Sequence, residues 1–376
     1  MNELGAGAIT AGRAWQIAGR TWRPAGSLVL LAAAALFPLV FTNPAVTNYG
    51  VYALIFVAAA SAWNIFSGYS GYISLGHAVF FGSGAYFVGI ATKDWHYTGS
   101  EVFALLPLAG LLGAILAVPF GLVALRVRRH TFVVITIAVF FIFQLMAYNL
   151  SVTGGTSGLL APTINYAPTT YNNPFYYAAF GIAACTIALS WLIRRSRFGL
   201  QIRAIRDDED RARGLGVRAE QIKLSAFVIS AVPVAMIGGV WWYYTTLVDP
   251  SSGFDPLFDV AVALMAFLGG LGTVAGPVLG ALIIEPAELY FQQQVSSGYI
   301  FLILYGALFL VVILILPRGI IPTVAELITK FIARRKNSPG PAGQLPPAGA
   351  RASETDVSAD GSRGASAQAS TTGERA

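Results

Sequence analysis

Residues 67–86 read SGYSGYISLGHAVFFGSGAY, with five glycines, four serines and one histidine in twenty positions. Glycine weakens a water-exposed helix by roughly 1 kcal/mol relative to alanine. A histidine among apolar neighbours needs a hydrogen-bonding partner. The surrounding chain supplies the context. Its 376 residues are 56% hydrophobic and 11% charged, with a mean hydropathy of +0.65. Soluble domains carry about 25% charged residues, so this composition cannot cover a water-facing surface. Apolar runs able to cross roughly 30 Å of hydrocarbon recur from residue 28 to residue 316. The fold class is all-α, a polytopic transmembrane helical bundle of about ten spans with Gly-rich broken segments.

Within the opening stretch, Ser67, Gly71, Ser74, Ala78, Gly82 and Ala85 follow one another at intervals of three or four. On a continuous helix they form one small-residue stripe. Helices in lipid gain nothing from hydrophobicity on pairing, and close backbone contact over small side chains replaces that gain. The stripe therefore predicts a packing face. A second segment, GGLGTVAGPVLGA, repeats Gly272, Gly276 and Gly280 every four residues, and Pro277 is expected to interrupt its backbone ladder. Transporters place their pathways at pairs of Gly/Pro-broken segments, one in each half. Gly71, Ser74, Gly82, Gly272 and Gly276 are accordingly candidate pathway or packing residues. His77 has two readings, a structural donor to a neighbouring carbonyl or serine, or a pathway-lining group. Glu285 and Glu288 share one helical face near a span end, and simple solvation is expected for them rather than a proton relay.

The expected spans are 28–42, 51–67, 75–92, 102–125, 131–149, 175–193, 222–247, 257–271, 274–291 and 299–316. The eighth and ninth could be two crossings or a re-entrant pair. The basic N-terminal segment 1–27 leads into a first span that lacks a clear cleavage site, so that span reads as retained. With this layout every Lys and Arg except Lys93 falls on one side. Asp94, Glu101, Asp249, Asp255 and Asp259 fall in the opposite loops. That asymmetry predicts cytoplasmic termini. It also accounts for the net charge of +6 without nucleic acid as a partner. A basic segment, 317–336, follows the last span. From residue 337 to residue 376 the composition predicts a disordered tail. The lone cysteine, Cys185, excludes an intramolecular disulfide and a thiolate metal cluster, and its apolar run predicts a buried structural role.

The most informative polar segment is RRSRFGLQIRAIRDDEDRARGLGVRAEQIKLSAF, residues 194–227. A span connection needs only a few residues. This one is long, charged and helix-compatible, with Ile202, Ile205 and Leu215 available to face a partner, so the loop 194–223 reads as a docking surface.

At four points the chain resembles the permease subunits of branched-chain amino-acid ABC importers, over roughly residues 50–320. The matching segments are GYSGYISLGHA followed by FFGSGAY, GGTSGL, RSRFGLQIRAIRD, and GGLGTVAGPVLGA, in that order. The resemblance adds Gly155 and Thr156 of the GGTSGL loop to the candidate residues. It implies a coupling loop seated in a groove of ABC ATPase subunits, through Arg206, Asp207, Asp210, Arg211, Ala212 and Gly216. Within the family's general EAA-x-x-x-G frame, Asp210 replaces Glu and Arg211 the first Ala. Ala226 and Val228 stand where the I-x-L-P ending would fall, and Tyr72 where the family often has glutamine. The implied partners are those ATPases, a second homologous permease subunit, an external substrate-binding protein and the bilayer.

None of the four lysines, Lys93, Lys223, Lys330 and Lys336, follows a glycine, so no phosphate loop exists and no cofactor is expected in this chain. ATP would be bound by the partner ATPase, and the chain itself is expected not to be an enzyme. Two alternatives stand beside translocation of branched-chain or related amino acids. One is a permease of the same family for urea, amides or small aromatic or hydrophobic acids. The other is an ion-coupled secondary carrier, which needs a buried acid or base near mid-membrane.

Overall fold

The computed structural model describes residues 32–41, 43–127, 129–162 and 170–294, with scattered positions between 303 and 326. The expected segments 1–27 and 337–376 lie outside the described residues, as do most of 299–316 and 317–336. Residues 32–40 are helical. The longer helices that follow are α1 (Pro44–Trp63), α2 (His77–Trp95), α3 (Leu106–Ala124), α4 (Arg129–Asn149) and α5 (Asn172–Arg195). Two short helices, α6 (Arg197–Asp207) and α7 (Glu209–Gly214), lead to α8 (Ala219–Thr245). The series ends with α9 (Pro250–Gly253), α10 (Pro256–Gly269) and α11 (Gly276–Gln294). Among the described residues six helical segments are long and apolar enough to cross a membrane. The fold is a helical membrane bundle.

Long α8 forms its axis, touching α1, α2, α3 and α5. Bare backbone makes this possible. A Cβ at Gly84 of α2 would stand 2.0 Å from the Ala235 carbonyl oxygen of α8, and one at Gly238 would stand 2.0 Å from that of Phe81. Most of α1 is buried, whereas α3, α4 and α5 turn apolar side chains such as Ile115, Ile142 and Leu192 outward toward lipid. Cys185 belongs to that outer set. It is exposed on α5, which corrects the expected burial: an apolar run satisfies lipid as well as a core. In intact membranes it should resist a charged maleimide yet react with a small apolar one. Equal protection from both reagents would place it in the protein interior instead.

The small-residue stripe is not one helix. Helix α1 passes through a π-helical turn, Asn64–Gly68. The backbone then leaves the helix at Gly71, whose φ of +73° suits glycine, and α2 starts at His77. Side chains satisfy the groups this frees. Ser67 Oγ accepts from Ser74 N–H at 3.2 Å, Ser70 Oγ accepts from Tyr72 N–H at 3.2 Å, and Trp63 Nε1 donates to the Ser74 carbonyl at 2.8 Å. Irregular backbone inside a membrane protein is tolerated when buried protein groups re-satisfy it in this way. Gly82 keeps its packing role, against Gly253 and Phe254.

Helices α10 and α11 form a tight hairpin in which a Cβ at Gly280 would lie 1.8 Å from the Met265 carbonyl oxygen. Fourteen residues make α10 only about 21 Å long. The preceding α9 completes this broken crossing. Pro277 is the second residue of α11 and initiates the helix rather than interrupting it. Asp259, expected in an external loop, is buried at the N-terminus of α2. Glu285 is also buried, at 3% exposure, with one carboxylate oxygen unpartnered, so the expected solvation does not hold for it. At the end of the bundle remote from α7, strands Leu159–Leu160 and Leu247–Val248 pair antiparallel, Leu159 opposite Val248. Gly155 and Thr156 sit there in the 3₁₀ turn Gly155–Ser157.

Candidate functional site: the 194–223 loop and its seat

Ser196 caps α6 by accepting from Gly199 N–H at 3.1 Å. The helix is amphipathic, and its apolar side faces inward. Ile202 and Ile205, expected to meet a partner, are fully buried within this chain. Ile205 packs with Ala212 and Ala219 in a small core that fixes α7 and the root of α8 to α6. Asp208 caps α7, accepting from Arg211 N–H at 3.0 Å and pairing with the Arg211 guanidinium at 3.0 Å. Helix α7 ends in a Schellman turn. Val217 N–H reaches the Ala212 carbonyl at 3.1 Å and Gly216 N–H that of Arg213 at 2.9 Å, with Gly216 at φ +87°.

This construction divides the expected residues between two faces. Asp207, Asp210, Arg211 and Gly216 are exposed together with Leu215, which is 85% exposed. An open groove of about 430 Å³, lined by Leu200, Arg203, Ala204, Arg206 and Asp207, lies on the same loop. Ala212 points inward. So does Arg206, whose Nη1 donates to the Gly68 carbonyl at 2.7 Å, and whose side chain lies against Gly71 and Gly272. Asn64 joins the two broken segments directly, accepting from Gly272 N–H and donating to the Thr273 carbonyl, both at 2.8 Å. Gly276 follows, its N–H held by Thr273 Oγ1 at 3.0 Å.

Three residues beneath the outward face were not among the expected site residues. Glu209, the first residue of α7, accepts from the Tyr72 hydroxyl at 2.5 Å and from Lys223 Nζ at 2.8 Å. Arg213 pairs with the same carboxylate at 2.8 Å. Lys223 is 1% exposed and also donates to the Tyr72 hydroxyl at 3.2 Å. Burial alone would raise the Glu209 pKa, but the bonds from Lys223, Tyr72 and Arg213 outweigh it and hold the group below its ordinary value. The one signal for this cluster in the sequence is Lys223 itself, a cation at the root of an apolar helix.

Deeper in the bundle, His77 is fully buried. Its Nδ1 bonds Ser74 Oγ and its Nε2 bonds Ser230 Oγ, both at 3.0 Å, and the rings of Phe66, Phe80 and Phe227 surround it. Both ring nitrogens have partners, as a structural histidine requires. Asp259 holds the adjacent turn by accepting from Ala78 N–H at 3.2 Å. The arrangement therefore connects an exposed surface, through the Tyr72 cluster, to a helix that begins inside the bundle. Gly155 and Thr156 lie apart from it. Among the described residues no group of three or more His, Cys, Asp and Glu side chains could hold a metal ion.

Similarity to known proteins agrees with this architecture. The permease LivM of the high-affinity branched-chain amino acid transport system of Salmonella typhimurium is 25% identical over 78% of this chain and 74% of its own length. Its Escherichia coli counterpart is 26% identical over the same shares. The permease LivH of the Salmonella typhimurium system is 27% identical over 73% of this chain and 92% of its own length. No solved structure matches. The family described as branched-chain amino acid transport system, permease component, matches residues 45–313, and the chain belongs to that family.

Proposed function

We propose that the chain is the membrane-spanning subunit of an ATP-binding-cassette importer for branched-chain or related amino acids, working with a separate ATPase, a second permease subunit and an external binding protein. The observation that carries this reading is the outward face of α7. A short charged helix, capped at both ends, anchored from below and followed by Leu215 at 85% exposure, supports the docking role that the family resemblance implies for this loop. The absence of a phosphate loop assigns ATP binding to that partner. The 194–223 loop then lies in the cytoplasm with both termini, and the paired strands lie outside.

Two measurements test this. In a Cys185→Ala background, a cysteine at Ser157 should label from outside and one at Arg211 only from inside; labelling of both from one face would refute the orientation. Gly216→Val addresses the docking role. The space around Gly216 is open, so its requirement is the positive φ alone. Valine there strains the α7 cap while leaving the spans intact. Uptake in proteoliposomes should fall roughly fivefold, the scale of a 1 kcal/mol change, with normal insertion and weakened ATPase co-purification. Unchanged uptake and co-purification would show that this loop is not the docking element.

A further inference from the structure

Resting on the reading of the chain as an ATPase-driven permease, the geometry points to Tyr72, Glu209 and Lys223 as positioning residues that carry movement of the docking loop into the break between α1 and α2. Glu209 opens α7, so any displacement of the exposed docking face displaces its carboxylate. That carboxylate is held on both oxygens, Oε2 by the Tyr72 hydroxyl and Oε1 by Lys223 and Arg213. Lys223 Nζ also sits 4.4 Å over the Tyr72 ring. An ammonium this buried is stable only while its partners stay with it. Tyr72, Glu209 and Lys223 therefore move together.

What they adjoin is the break between the two helices, whose backbone bonds run to side chains of Trp63, Ser67 and Thr136. Tyr72 lies in the non-helical segment 71–76, outside the ladders of α1 and α2. Two residues on, Ser74 meets His77 Nδ1, and His77 Nε2 meets Ser230 of α8. A shift of Glu209 thus reaches the first residue of α2 through Tyr72 and Ser74. Arg206 provides a second grip, bonded to Gly68 on one side of the break and resting against Gly272 of the other broken segment. Both Gly-rich breaks, one from each half of the chain, are therefore contacted by Arg206 and Glu209, three positions apart in one loop.

The test uses the full complex in proteoliposomes with loaded binding protein, reading radiolabelled leucine, isoleucine and valine accumulated per ATP hydrolysed. Tyr72→Phe removes only the hydroxyl and keeps the ring over Lys223. It should leave subunit stoichiometry and unstimulated ATP hydrolysis at wild-type levels while transport per ATP falls about tenfold, the scale of one hydrogen bond to a charged group. The double variant Glu209→Gln/Lys223→Met removes both charges together, leaves neither buried alone, and should lose coupling to the same extent. The proposal is overturned if both variants transport normally per ATP, or if transport declines only in proportion to assembled complex. A wild-type chain that assembles with no ATPase would overturn the functional reading beneath it, and the proposal with it.

Discussion

Gly84→Ala is expected to remove most of the folded protein, and Gly181→Ala to change nothing. The added methyl at position 84 would stand 2.0 Å from the Ala235 carbonyl oxygen and 2.6 Å from its carbon. Both are backbone atoms of α8 and cannot swing aside as a side chain would. Overpacking of this kind costs about 1–3 kcal/mol in soluble cores. Here separating α2 from α8 also forfeits the close contact that replaces hydrophobic gain between helices in lipid. A leucine at 84 should leave no monodisperse protein. Gly82→Leu should be severe as well, since a Cβ there lies 2.6 Å from the Gly253 carbonyl oxygen. Ser83→Ala should be mild. At Gly181, on the outer helix α5, no atom lies within 4 Å of an added Cβ. Detergent size-exclusion profiles and thermal midpoints decide the matter. A Gly84→Ala protein with wild-type yield and midpoint would show that α2 and α8 do not touch backbone to backbone.

The same helix shows how far the sequence could be read. Apolar runs placed the helices well because a span must be long and uninterrupted, a local property. The 194–223 loop stood out through its charge, and Gly216 sits at the left-handed angle a helix end requires. The expected spans 51–67 and 75–92 already parted at this break, but the stripe ran straight through it, because Ser67, Gly71, Ser74 and Ala78 fit helical spacing as well as they fit an unwound turn. What breaks the helix is the set of serine hydroxyls and the Trp63 indole that satisfy the freed backbone, and spacing carries no record of those bonds. Cys185 failed for a related reason: lipid-facing and core-facing residues of α5 are equally apolar. Ile202 and Ile205 were correctly seen as one apolar face, but a sequence does not say whether that face meets a partner or the chain's own body. Glu209 and Tyr72 are separated by 137 positions, so nothing local joins them.

Asp259→Leu should destabilise the protein sharply, and Asp259→Asn should not. Helix α2 starts inside the bundle, where its first amide groups have neither a preceding helical turn nor bulk water to bond. The residue at its N-cap is Gly76, which has no side chain to supply an acceptor. Asp259 supplies one from α10, 181 positions away, with both carboxylate oxygens 3.2 Å from Ala78 N–H. Leucine fills a similar volume but accepts nothing, so an orphaned buried donor should cost about 1–3 kcal/mol. Asparagine keeps a carbonyl oxygen in the same place to accept from Ala78 N–H. The thermal midpoint should therefore fall clearly for Asp259→Leu and little for Asp259→Asn, with faster hydrogen exchange at Ala78 and Val79 in the leucine variant. His77→Phe attacks the same turn through Ser74 and Ser230, so pairing it with Asp259→Leu should cost less than the two single losses combined. Strict additivity, or a leucine variant as stable as wild type, would mean that Asp259 does not hold the start of α2.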